Sequence, residues 1–238
     1  MLEKFVNRIV ELAAPTTHEI EGRTYSSEKL HRVDPPKYKP EAITVTGLDS
    51  ICKLVQNEVK AVGRKVFIRV AAYNKVSVFT TYDDQYERFY LYRCEADTPA
   101  VTMDRFMSYE KAVIELRSLY IPNEGTDYLL NLLRSISSES KVTSSDNGIT
   151  QTVEAKSGIS MMQKVEIKPR VLLKPFRTFI EVDQPESTFL LRINSEGNIG
   201  FYEADGGVWK LEATRNVAGY FEENLKDLIK SGDVVVIR

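Results

Sequence analysis

Three ionisable residues around one Asn-Gly turn have the types and spacing to hold a metal ion: Asp146 ahead of the turn, then Glu154 and Lys156 in the string VEAK. Glu154 and Lys156 lie two apart, so on a strand they point to one face. An Asp on one arm of a hairpin with Glu-x-Lys on the other would gather two carboxylates for Mg²⁺ beside a lysine that helps activate water. That is the chemistry of a metal-dependent nuclease. The same Glu-x-Lys recurs at Glu166 and Lys168, and alternating charge is what a half-exposed hairpin carries in any case.

A second set is aromatic and basic. In YERFYLYR, Tyr86, Arg88, Tyr90 and Tyr92 alternate with Phe89 and Leu91, and in the preceding strand pattern Phe67, Arg69 and Tyr73 share a face. Left open to solvent, Arg69, Tyr73, Arg88, Tyr90 and Tyr92 would form a stacking platform with guanidinium groups, suited to single-stranded nucleic acid or nucleotides. Each stacked base contributes ~1–3 kcal/mol, so two or three rings suffice. The same rings pack equally well as a core beneath helices. Periodicity does not say which face is buried.

Several chemistries fall away. The chain has only two His and two Cys, and His18 and His31 lack a helical HxxxH or HxxE partner. A four-ligand zinc site cannot be assembled, and His-based catalysis has little to work with. Cys52 and Cys94 lack CxxC spacing and read as buried free thiols. Neither GxGxxG nor GxxxxGK[ST] occurs, so dinucleotide and P-loop cofactors are not expected; no cofactor or metal is assigned. The N-terminal MLEKFVNRIVELAAP is too interrupted by charge for a signal peptide, and no apolar run is long enough to span a membrane. A cytoplasmic protein is expected. A net charge of −2 over 238 residues lacks the global basic footprint of a duplex-DNA binder. Basic groups outnumber acidic ones over residues 1 to 75 and the reverse holds over 177 to 238, which leaves room for a local patch.

These residues must be placed by an α+β chain, with antiparallel sheets flanked by amphipathic helices. Leu2, Phe5, Val6, Ile9, Val10 and Ala13 recur at helical spacing. A Glu21-Gly22 hairpin and a Pro-rich linker at 34–41 follow. A strand at 42–46 precedes a helix with the stripe Leu48, Ile51, Cys52, Val55 and Val59, ended by Gly63. Three antiparallel strands span 65–93. Ser108 and Thr126 cap helices at 109–118 and 127–137, which should lie over that sheet. Asn147-Gly148 makes a two-residue type I′ turn, and strands follow at 161–167, 171–182, 188–193 and 199–203. Asp205-Gly206-Gly207 turns into a strand at 208–213, then come a helix at 217–229 and a strand at 234–237. Two lobes, 1–125 and 126–238, are expected.

The strings SSDNGITQTVEAKSGI, PFRTFIEVDQPESTFLLRI and YEADGGVWKLEA, with TVTGLDSICKLV and MSYEKAVIEL further upstream, resemble the YfdQ-like family of uncharacterised phage and prophage proteins. The resemblance implies a phage protein made in a bacterial cytoplasm, from gene neighbourhoods concerned with DNA metabolism or host takeover. It carries no catalytic residue. Within its motif, Arg177, Glu181 and Asp183 alternate on one strand face, where a buried or interfacial ion-pair network would fit. Asp205 fixes a tight turn ahead of Trp209, an aromatic core anchor.

The resulting expectation is a non-enzymatic phage accessory protein that binds a host or phage macromolecule, in counter-defence or DNA metabolism. A single-stranded nucleic-acid or nucleotide binder and a Mg²⁺-dependent nuclease are the alternatives. Homo-oligomerisation is expected from the apolar N-terminal helix.

Overall fold

The computed structural model describes all residues except 1, 14–15, 21, 27–40, 63–64, 84–85, 137–142, 147–150 and 158–160. The Pro-rich linker expected at 34–41 therefore lies, apart from Glu41, outside the described residues. Two compact units are formed, Met1–Lys39 and Pro40–Arg238. In the first, helix α1 (Leu2–Ala13) is followed by the antiparallel hairpin β1 (Thr17–Ile20) and β2 (Arg23–Ser26). Leu2, Phe5, Val6 and Ile9 of α1 are exposed.

The second unit begins with β3 (Ile43–Val45), α2 (Leu48–Val62), β4 (Val66–Ala72), β5 (Lys75–Thr80) and β6 (Tyr90–Glu95). Next come β7 (Phe106–Met107), α3 (Tyr109–Ser118), β8 (Tyr120–Ile121), α4 (Glu124–Ile136), β9 (Thr143–Asp146), β10 (Gln151–Ser157) and β11 (Met161–Ile167). The remainder is β12 (Arg170–Pro175), β13 (Ser187–Ile193), β14 (Ile199–Glu203), α5 (Trp209–Asn224), α6 (Lys226–Ser231) and β15 (Val234–Ile237).

The first sheet has the order β15-β4-β5-β6-β3, an antiparallel meander with a parallel strand added at each edge. Alternation along β4 and β5 sends Ile68, Val70, Val76 and Val78 to one face, where the α2 stripe and Val217, Ala218 and Phe221 of α5 cover them. The second sheet, β7-β14-β13-β12-β8, is antiparallel throughout. Its Leu173, Phe189, Leu191 and Phe201 pack against Leu116 of α3 and Leu129 and Leu133 of α4. Helices α3 and α4 thus cover this sheet and not the 65–93 strands, contrary to expectation. The strands on either side of α3, β7 and β8, are the edges of the second sheet and carry the helices with them. Strand pairing also cuts across the boundary expected at residue 125, because β7 and β8 join β12–β14 while β15 returns to β4.

Capping separates the two helices. Ser108 accepts from the Lys111 N–H, as expected. Thr126 is not the cap of α4: Asn123 Oδ1 accepts from the Thr126 N–H, and Thr126 Oγ1 in turn accepts from the Asn123 N–H. This is a capping box with Thr in the place of Glu, and it starts α4 one turn earlier.

Two segments read as strands are something else. Strand β12 ends at Pro175, because the buried Gln184 side chain takes over the backbone that follows. Its Oε1 accepts from the N–H groups of Arg177 and Thr178, and its Nε2 donates to the carbonyls of Phe179 and Val182. The segment at 208–213, alternating in sequence, is the start of α5, whose buried positions Trp209, Ala213, Val217 and Phe221 continue at helical spacing. Asp205 accepts from the N–H groups of Gly207 and Trp209, and Gly206 and Gly207 take the positive φ values of 64° and 80° that this entry turn requires. The last helix is broken at Leu225 into α5 and α6.

The third sheet, β11-β10-β9, contains the expected hairpin, and its register pairs Asp146 with Gln151. The Asn147-Gly148 turn itself lies outside the described residues.

Gln184→Leu preserves volume but leaves two buried N–H groups without acceptors, so the unfolding free energy should fall by about 2–4 kcal/mol. Urea unfolding followed by circular dichroism measures it; a change under about 0.5 kcal/mol would contradict the role given to this side chain.

Candidate nucleic-acid interface

The inner face of the first sheet is covered by α2 and α5, and the outer face carries the aromatic and basic side chains. Register sorts them into two rows. Phe67 of β4 lies opposite Phe79 of β5, and Phe79 opposite Tyr90 of β6. Successive ring centroids are 5.5 Å apart. One step along the same face, Arg69 lies opposite Ser77, and Ser77 opposite Arg93. Two residues of strand rise, at ~3.3 Å each, separate the rows. Arg69, Arg93 and Tyr90 are exposed, Tyr90 at 45 %. Lys75 pairs with Glu95 at 3.1 Å, an exposed contact that contributes little to stability.

A β-bulge decides which tyrosines belong. The register shifts so that Val78 pairs with Tyr92 while Phe79 pairs with Tyr90, leaving Leu91 as the extra residue. Without it, Tyr90 and Tyr92 would share a face. With it, Tyr90 stays outside and Tyr92, 7 % exposed, turns into the core. There its hydroxyl donates to Glu58 Oε2 at 2.7 Å. Burial, then that hydrogen bond and the Glu58 charge, push its pKa up to about 12. Tyr92 is therefore no part of an open platform.

Tyr73 also leaves it, meeting the Trp209 ring edge-on with centroids 4.8 Å apart. Arg88 joins from the β5–β6 loop, where Asp83 and Glu87 are tied backbone to backbone at 3.0 Å. Phe79 is the residue that sequence reading missed, although its alternation with Ser77 on the outer face was there to be read.

The motif residues build a different site, beneath α5. Arg177 is buried against Trp209, with its guanidinium carbon 3.7 Å from the ring centroid. Its Nη1 donates to Glu203 Oε1 at 2.6 Å, and Nη2 donates to Ser187 Oγ. Ser187 Oγ donates onward to Asp205 Oδ2 at 2.9 Å. Burial pulls the Arg177 pKa down to about 10 against the opposing pull of Glu203 and Asp205. Because residues 177–183 form no strand, Arg177, Glu181 and Asp183 do not line one face as expected. Glu181 instead accepts from the Leu48 N–H at 2.7 Å, capping α2. Asp183 reaches Lys174 at 3.5 Å. Trp209 is the core anchor expected of it. This cluster is enclosed and structural.

On β9 and β10 the backbone register pairs Asp146 with Gln151 and Glu154 with Thr143; the side chains of Asp146, Glu154 and Lys156 lie outside the described residues. Among the described residues, no group of three His, Cys, Asp or Glu could hold a metal ion, and no helix is long and apolar enough to cross a membrane. Cys52 and Cys94 are buried free thiols. No family model, curated protein or solved structure matches the chain at a significant level.

Burial raises the Asp205 carboxyl, but hydrogen bonds from Gly207, Ser187 and Trp209 and the charge of Arg177 bring it below its ordinary value. A carboxylate with a depressed folded pKa contributes stability above its unfolded pKa of ~3.9, and loses it as pH falls through the folded value. Asp205→Asn should therefore be less stable than wild type at pH 7, with the gap narrowing as pH falls below the unfolded carboxylate value of ~3.9. Urea midpoints compared across pH test this, and a gap independent of pH would contradict it.

Proposed function

We propose that the chain is a non-enzymatic phage accessory protein that holds single-stranded nucleic acid on the outer face of its first sheet. One observation supports this above the rest: a row of three rings, Phe67, Phe79 and Tyr90, runs across the strands beside a row holding Arg69 and Arg93. Bases stacked on the first row would set their phosphates over the second. Stacking needs no base-specific hydrogen bonds, so binding would tolerate many sequences, and the arginines would make it strongly salt-dependent. The near-neutral net charge of −2 fits a local interface of this kind better than wrapping of duplex DNA.

The YfdQ-like resemblance supplies the setting: action in the bacterial cytoplasm, in phage DNA metabolism or counter-defence. A protein ligand, from host or phage, is the other occupant consistent with that setting, and a nucleotide alone would use the same rings. The nuclease reading has the sequence spacing of Asp146, Glu154 and Lys156 behind it and nothing more. Self-association through the exposed apolar stripe of α1 also belongs to this proposal.

Fluorescence anisotropy with labelled oligonucleotides at low salt tests the interface. Tyr90→Ala should weaken binding by roughly 5- to 150-fold, the equivalent of ~1–3 kcal/mol per stacked base. Tyr92→Phe should leave affinity within about twofold while lowering stability by ~1 kcal/mol. Equal losses in both variants, or no binding by the wild type, would remove the assignment. Light scattering should return a mass above the 27.1 kDa of one chain, and a monomeric mass would remove the self-association.

A further inference from the structure

The outer face contains an apparent contradiction. Phe79 points away from the core and belongs to neither buried hydrophobic cluster, yet it is only 4 % exposed. Its cover includes Arg88. The Arg88 guanidinium lies 5.2 Å from the Phe79 centroid, 5.5 Å from Phe67 and 4.0 Å from Tyr82. It is a flat cation held among three rings, while Arg88 itself is exposed and Tyr82 is 58 % exposed. Ring for ring, an exposed cation–π contact is weaker than a stacked base, so a base that takes over the contacts with Phe67, Phe79 and Tyr82 can compete with Arg88 for them.

We infer that Phe67, Phe79 and Tyr82 form a slot for one planar nucleobase, and that Arg88 fills the slot in the free protein and is exchanged for the base on binding. This rests on the nucleic-acid reading above and adds to it a defined subsite and a residue that competes for it. The loop geometry suits such an exchange. The Asp83 N–H donates to the Glu87 carbonyl, and the Glu87 N–H to Asp83 Oδ1, both at 3.0 Å. The hydrogen-bonded base of the loop keeps Tyr82 in place while the Arg88 side chain swings out. Displaced, Arg88 gives up its contacts with Phe67, Phe79 and Tyr82, and the base in the slot takes over the cover of Phe79.

The consequence runs against simple electrostatics. An arginine that only contacts phosphate strengthens binding, so its removal lowers affinity and reduces the single-strand salt slope by about 0.7. An arginine that occupies the slot does the opposite. Arg88→Ala should bind a labelled single-stranded oligonucleotide at least threefold more tightly than wild type, with an undiminished salt slope. The gain should vanish on an abasic strand of the same length. Arg88 is exposed and its ring contacts are weak, so the variant's melting temperature should fall by no more than about 5 °C, which a thermal scan checks on the same samples. Unchanged or weaker binding by Arg88→Ala, with the wild type binding normally, overturns the slot and leaves the interface standing. An equal gain on the abasic strand also overturns it. Absence of binding by both proteins overturns the interface itself, and the slot with it.

Discussion

The second unit is organised around one buried guanidinium, whose two terminal nitrogens are held by partners while its Nε is left without one among the described residues. Moving a charge out of water costs several kcal/mol unless partners replace the lost hydration, and those of Arg177 come from separate parts of the chain. Glu203 ends β14, Ser187 opens β13 and Trp209 opens α5. Ser187 is in turn bound to Asp205, which starts α5 through its backbone contacts. The residues after Arg177 carry the same constraint into the first sheet. Thr178 donates to the Tyr73 carbonyl in the β4–β5 turn, Phe179 enters the core beneath α2, and Glu181 caps α2 itself. Seven residues thus rivet two sheets together, and Gln184 supplies the hydrogen bonds that let them do so without being a strand.

The candidate interface follows from this asymmetry. With α2 and α5 both committed to the inner face, no described helix covers the outer face of the first sheet, where Arg69, Tyr90 and Arg93 are exposed and Phe79 is covered by side chains of the face itself. Strand alternation places rings and arginines in separate rows, and the bulge at Leu91 keeps Tyr90 in register with Phe79 while Tyr92 fills the core.

Where local chemistry alone sets the outcome, the sequence is legible. Ser108 reads as a cap because a side-chain oxygen before a helical pattern has one common use, and α3 runs over the expected residues. Strands β5 and β14 and the α2 stripe are likewise visible in their own alternation or periodicity. Where a distant residue decides, the sequence misleads. Nothing local in FRTFIEV announces that Gln184 will claim its backbone, and nothing in VWKLEA separates a strand from the first turns of a helix until Asp205 is seen as its acceptor. The tyrosine platform was half legible for the same reason. Alternation put Tyr90 and Tyr92 on one face, and a single inserted residue moved one of them.

The position of β15 has a consequence for how the molecule comes into being. Val234 pairs with Val66, and α5, which covers the inner face of the same sheet, begins only at Trp209. During synthesis the meander β4–β6 leaves the ribosome long before either arrives. Until then one apolar face of the nascent chain lacks part of its cover, a span in which such chains are open to aggregation or chaperone capture. The aromatic face therefore becomes a rigid surface only after residues up to 237 have emerged. A nascent chain that stops short of β15 lacks the completed sheet, so whatever that face does waits until this last strand has emerged and paired with β4.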